Sequence, residues 1–169
     1  MIMDWASQGL IALQILCAFV LGGFIGFERE KNRLGAGIRT YAAVCMGAAM
    51  FTIIGTNLMD SSGASRMASS IITGVGFLGA GLIFQDKTQH RVIGLTTAAT
   101  IWATAAVGVA VGYHLYAIAI ICSLALYFLL ALDDINGING GAKEFDIQIR
   151  MTKRLMMICN SKNIKNHLC

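Results

Sequence analysis

The chain has 169 residues, 56% of them hydrophobic and 13% charged, with no proline and a formal charge of +4. A water-soluble domain carries about 25% charged residues. Here the few charges cluster between long apolar runs, and so small a soluble fold could not bury those runs on all sides. No basic patch with interleaved aromatics points to nucleic acid, and no CxxC pair occurs among Cys17, Cys45, Cys122, Cys159 and Cys169. Neither a disulfide framework nor a zinc site is expected.

The first eight residues contain Asp4 and no lysine or arginine, so the apolar run that follows reads as a retained helix, not a cleaved signal. About twenty apolar residues cross a bilayer as helix. The spans predicted on that basis are 10–27, 41–59, 68–84, 95–111 and 115–132. The last two adjoin across Gly112, Tyr113 and His114, where a tight turn is expected. The fold class is therefore an all-α membrane protein of about five transmembrane helices.

Orientation follows from the basic residues. Arg29, Lys31, Arg33 and Arg39 follow the first helix, Lys87 and Arg91 follow the third, and Lys143 to Lys165 populate the tail. The alternate side has only Arg66. The N-terminus is expected outside, and the C-terminus inside a bacterial cytoplasmic membrane. Residues 1–132 form the transmembrane domain, and 133–142, with Asn136, Gly137 and Gly140, a linker. In 143–169, Phe145, Ile147, Ile149 and Met151 alternate with polar residues as one strand would. One strand and a short basic piece make an incomplete cytoplasmic domain.

A shift of 57 positions sets Leu21, Gly22 and Phe27 on Leu78, Gly79 and Phe84. It also sets Gly37, Thr40, Ala42, Ala48 and Ala49 on Gly94, Thr97, Ala99, Ala105 and Ala106. Two parallel helical-hairpin repeats with a fifth helix appended would account for this, and repeat interfaces often host sites near the midplane.

Small residues suit close helix approach. Gly22 and Gly26 share a face of helix one, Gly76, Gly79 and Gly81 crowd helix three beside Gly74, and Thr96, Thr100, Thr104, Gly108 and Gly112 recur every four residues in helix four. Together with Thr97 they are the expected packing core. The alternative is a polar path lined by the threonines. Trp102, mid-helix, is expected to pack, His114 to anchor the outer turn, and Arg66 to cap helix three.

Glu28, Arg29, Arg39 and Thr40 flank the first two apolar runs. Charge inside the bilayer is costly, so they belong at its edge, where Glu28 and Arg39 could form an ion-pair network that gates or binds something. Asp86, His90 and Arg91 are candidates for the same cluster. Magnesium would need Glu28, Glu30 and Asp86 to converge, and the surrounding basic residues argue against that. No metal or other cofactor is expected.

At these residues the sequence resembles the MgtC/SapB family of bacterial membrane proteins. The resemblance rests on GGFIGFERE (residues 22–30), AGIRT (36–40), GVGFLGAGLIF (74–84) and GLTTAATIWATAAVGVAVG (94–112). It implies a multi-pass inner-membrane protein associated with growth in scarce magnesium and, in pathogens, with survival inside macrophages. Some members are linked to restraint of the F-type ATP synthase. Larger members carry an ACT-like cytoplasmic domain, of which this chain holds only the start.

The expected function is a non-enzymatic regulator of low-magnesium adaptation. Its partners would be membrane lipid and other membrane proteins, the F-type ATP synthase or a magnesium pump among them, or further copies of itself; nucleic acid is not one of them. The alternative is a magnesium or other cation transporter or channel. No nucleophile–base pair, HExxH run or nucleotide loop suggests an enzyme.

Overall fold

A computed structural model describes residues 5–31, 35–86 and 91–135. Five helices and one short hairpin follow in order: α1 (Trp5–Lys31), α2 (Ile38–Leu58), α3 (Ser61–Leu82), β1 (Phe84–Asp86), β2 (Arg91–Ile93), α4 (Leu95–Gly112) and α5 (Tyr116–Ile135). Three stretches are long and apolar enough to cross a membrane: Ser7–Lys31, Ile38–Leu58 and Leu95–Gly112. Tyr116–Leu132 is a shorter apolar helix. By contact the chain divides into Met1–Ala131 and Leu132–Cys169, and the fold below is that of the first unit. The expected tail strand and all but the first three residues of the expected linker lie outside the described residues. Those three, 133–135, continue α5.

The differences from the predicted spans lie at helix ends. Helix α3 begins at Ser61 and not at residue 68, because Asp60 caps it: the Asp60 carboxylate accepts the Gly63 N–H at 2.8 Å. Arg66, expected as the cap, instead donates to the Ser62 hydroxyl at 2.8 Å. Ser70 and Thr73 donate to carbonyls four residues back, so a serine-rich first half can continue as helix without an apolar run to reveal it.

The turn between α4 and α5 closes on a Schellman arrangement. His114 N–H donates to the Val111 carbonyl at 3.0 Å and Leu115 N–H to the Ala110 carbonyl at 2.9 Å. His114 holds the left-handed position, φ 61°, where glycine is usual. Histidine is among the few side chains enriched there.

Helix α2 is the centre of the bundle, touching α1, α3 and α4. Its contact with α1 is so close that a Cβ on Gly22 would sit 2.6 Å from Cys45 Cβ and 2.7 Å from the Tyr41 carbonyl oxygen. A Cβ on Gly26 would lie 2.7 Å from Ile38 Cα. On its other side, a Cβ on Gly108 would collide with the Cys45 carbonyl, and one on Gly112 would sit 2.5 Å from Thr52 Cβ. Cys45 is thus held between a glycine of α1 and a glycine of α4. Such contact lets backbones approach where lipid supplies no hydrophobic drive for helices to associate.

The proposed repeat has local counterparts in the fold. Gly37 and Gly94, 57 positions apart, are the N-cap residues of α2 and α4. Gly22 meets Tyr41, and its counterpart Gly79 meets Ala98 at 3.6 Å from the Cβ it lacks. The hairpins differ where α1 runs on to Lys31 while α3 stops at Leu82 and hands over to the β-hairpin. That hairpin pairs Phe84 with Ile93, Gln85 with Val92 and Asp86 with Arg91. Gly94 ends it at φ 88°, and any Cβ there would run into the Leu82 carbonyl oxygen, so the return to helix requires glycine.

Candidate functional site

The buried face of α1 carries Gln14, Ala18, Ile25, Glu28 and Arg29. Its apolar members pack the core, and its polar members fall at the two ends, roughly 22 Å apart at 1.5 Å per residue. Each end assembles a polar cluster.

At the end where α1 finishes and α2 and α4 begin, Glu28 is 4% and Arg29 3% exposed. Glu28 lies 4.0 Å from the Lys31 ammonium, one turn on. The expected pairing with Arg39 does not occur among the described residues, because Arg39 and Thr40 project outward from the first turn of α2. The acid that joins the two helices is Glu30. Its carboxylate accepts the Ile38 N–H at 3.0 Å, supplying to α2 the cap that Gly37 cannot. Gly37 makes the room, since a Cβ there would lie 2.9 Å from Glu30 Oε2.

Tyr41, the residue after Thr40, is fully buried, and its hydroxyl lies 2.6 Å from Thr100 Oγ1. Thr100 donates to the carbonyls of Thr96 and Thr97, at 2.9 and 3.1 Å, so the Tyr41 hydroxyl is the donor in their shared bond. Thr104 donates to the Thr100 carbonyl at 2.7 Å. Thr100 and Thr104 are buried, Thr97 half-buried and Thr96 exposed. The threonines do not present a row of free hydroxyls, because the buried ones bond to their own helix.

In α3, Gly79 is buried against α4, whereas Gly76 and Gly81 face outward with nothing within 4 Å of a would-be Cβ. Gly76 and Gly81 therefore lie outside the chain's own core, contrary to the packing role expected for them. Period alone gave no sign of which side of α3 meets a neighbour. Trp102 is likewise outward, 50% exposed, and does not pack in the core. Asp86 and Arg91 fall opposite one another in the β-hairpin at this same end, and His90 lies outside the described residues. No group of three His, Cys, Asp or Glu able to hold a metal ion occurs among the described residues.

The opposite end holds a cluster of which the sequence singled out only His114. The buried Gln14 amide donates to His114 Nδ1 at 2.7 Å and to the Tyr116 hydroxyl at 3.2 Å. With the Phe24–Tyr127 stack, 4.6 Å between centroids, it fastens α5 along α1. The available signal was a glutamine inside an apolar run, which needs a partner in lipid.

A groove of about 520 Å³ opens between α2 and α3, lined by Val44, Phe51, Met67, Ile71, Val75 and Leu78 among others. It is apolar and includes none of the α4 threonines.

Long apolar helices, glycine-mediated contacts and helix-to-helix hydrogen bonds define an all-helical membrane protein. Within that class the chain belongs to the MgtC family, which residues 15–136 match. It is 42% identical over 131 residues to Protein MgtC of Brucella abortus (strain 2308), covering 78% of this chain and 53% of that protein. It is 42% identical over 130 residues to Protein SrpB of Synechococcus elongatus, covering 70% of each. Over 126 residues it is 37% identical to the Escherichia coli K12 protein named "Putative magnesium transporter YhiD", covering 70% of this chain and 58% of that one. The chain spans about half the length of the Brucella relatives. No solved structure matches it.

Proposed function

We propose that this chain is a non-enzymatic regulator in the bacterial inner membrane, serving adaptation to low magnesium through helix contacts with other membrane proteins. Its N-terminus lies outside and its charged end in the cytoplasm, in keeping with the excess of lysine and arginine there. Candidate partners are the F-type ATP synthase, a magnesium pump or further copies of the chain. In pathogens the same role would serve intracellular survival.

The observation that carries this reading is the engagement of the buried α4 hydroxyls. Thr100 and Thr104 bond to their own backbone and Tyr41 bonds to Thr100. An ion losing its water would need oxygen ligands held open to it, and a helix seam closed by glycine contacts suits recognition and rigidity better. The exposed Arg39 and Thr40 and the outward glycines Gly76 and Gly81 offer surfaces for a partner.

Arg39→Ala should insert and fold yet fail to support growth at low magnesium. Normal growth of a strain carrying only that variant would overturn the role given to this edge. The second reading, a magnesium or other cation transporter, draws on the name of the Escherichia coli relative. Magnesium flux into proteoliposomes of the purified protein would favour it over regulation.

A further inference from the structure

Arg29 is 3% exposed, and its buried Nε and Nη2 have no hydrogen-bond partner among the described residues. A buried donor left without an acceptor is rare in folded proteins and demands a physical reason, more so when it carries charge. The two acids of the same helix, Glu28 and Glu30, do not supply one. Glu28 is adjacent in sequence, and helix residues one apart do not face each other; its carboxylate pairs with Lys31. The Glu30 carboxylate is engaged by the Ile38 N–H.

The two unpartnered atoms form one side of the guanidinium. Their N–H bonds run parallel, at a spacing that matches two oxygens of a single oxyanion. The side chain sits two residues past Phe27, which is 55% exposed among the apolar outward residues, and two before Lys31, whose side chain is 61% exposed. That is the level at which apolar helix surface gives way to charge, where phospholipid phosphates lie. The charge balance is also right for an anion. In 28–40 the basic residues Arg29, Lys31, Arg33 and Arg39 outnumber Glu28 and Glu30, and in 84–93 Lys87 and Arg91 outnumber Asp86. Helices α2 and α4 both begin at this end, adding the positive ends of their dipoles.

We propose that the Nε–Nη2 edge of Arg29 is a phosphate-binding element, gripping one phosphate through two parallel N–H···O bonds. The flexible stem lets the guanidinium swing from the seam toward the headgroup layer. The phosphate comes from a phospholipid headgroup or from a soluble phosphate. The proposal shares its cluster with the regulatory reading, but its test reads ligand binding alone and stands or falls apart from growth phenotypes.

The test is native mass spectrometry and thermal unfolding of the full chain in a neutral detergent, titrated with phosphatidylglycerol, with diacylglycerol of the same acyl chains, and with inorganic phosphate. Wild type should bind phosphatidylglycerol or inorganic phosphate, and whichever succeeds identifies the source. Arg29→Lys keeps the charge and loses the fork, and should bind about tenfold or more weakly. Arg66→Gln, at the opposite end, should bind as wild type does. Equal binding of diacylglycerol and phosphatidylglycerol by wild type, with none of phosphate, overturns the proposal without recourse to any variant. Undiminished phosphate binding by Arg29→Lys overturns it as well. Co-purification of a partner protein whose carboxylate occupies the edge would also overturn it.

Discussion

Two of this chain's glycine pairs act by what they leave out. Gly22 and Gly26 admit α2 to the surface of α1, and Gly108 and Gly112 admit it to α4. A methyl at Gly108 would meet the Cys45 carbonyl, a backbone atom that cannot rotate away. Gly108→Ala should therefore destabilise the bundle by about 1–3 kcal/mol, the usual cost of overpacking. Gly76→Ala has open space and should be neutral, or stabilising by up to ~1 kcal/mol through helix propensity. Reversible unfolding in bicelles would measure both. A loss at Gly76 as large as at Gly108 would mean that another chain packs on α3. The four-residue spacing of these glycines was legible in the sequence, but spacing says which residues share a face and not what the face meets. That is why Gly76 and Gly108 looked alike. Tyr41 and Gln14 went unnoticed for a related reason: each is a single polar group in an apolar run, and its importance lies in a partner 59 or 100 residues away.

Between helices, the few polar links are specific. Tyr41 to Thr100 joins α2 to α4, Glu30 to Ile38 joins α1 to α2, and Gln14 to His114 and Tyr116 joins α1 to α5. Hydrogen bonds between helices in lipid average about 0.6 kcal/mol and reach about 1.7. A double-mutant cycle of Tyr41→Phe and Thr100→Val should return a coupling in that range. No coupling would show that the two hydroxyls find water or each other's backbone equally well when separated. The extents of α1, α2, α4 and α5 followed from apolar runs to within a few residues. Helix α3 did not, because its first half is serine-rich and is held by the Asp60 cap and by back-bonding hydroxyls. The β-hairpin was also illegible, since strands of three residues leave too short a pattern to read.

For the bundle as inserted in a bilayer, the charge distribution yields a sided prediction. In a chain with its native cysteines replaced, Gly35→Cys should react with a membrane-impermeant thiol reagent only from the cytoplasm, and Ser62→Cys only from outside. Labelling of both from one side would overturn the orientation. Composition and order alone determined that lipid is the solvent, that the helices of the described residues number five, and that a turn falls at residues 112–114. Each of these depends on how much apolar surface a segment carries, a sum over neighbours along the chain. Only the tertiary structure decided that α2 is central, that Glu30 and not Glu28 ties α1 to α2, and that Arg29 is turned inward. Those outcomes depend on which helix faces meet, and in lipid that choice is made by backbone proximity and hydrogen-bond partners far apart in sequence.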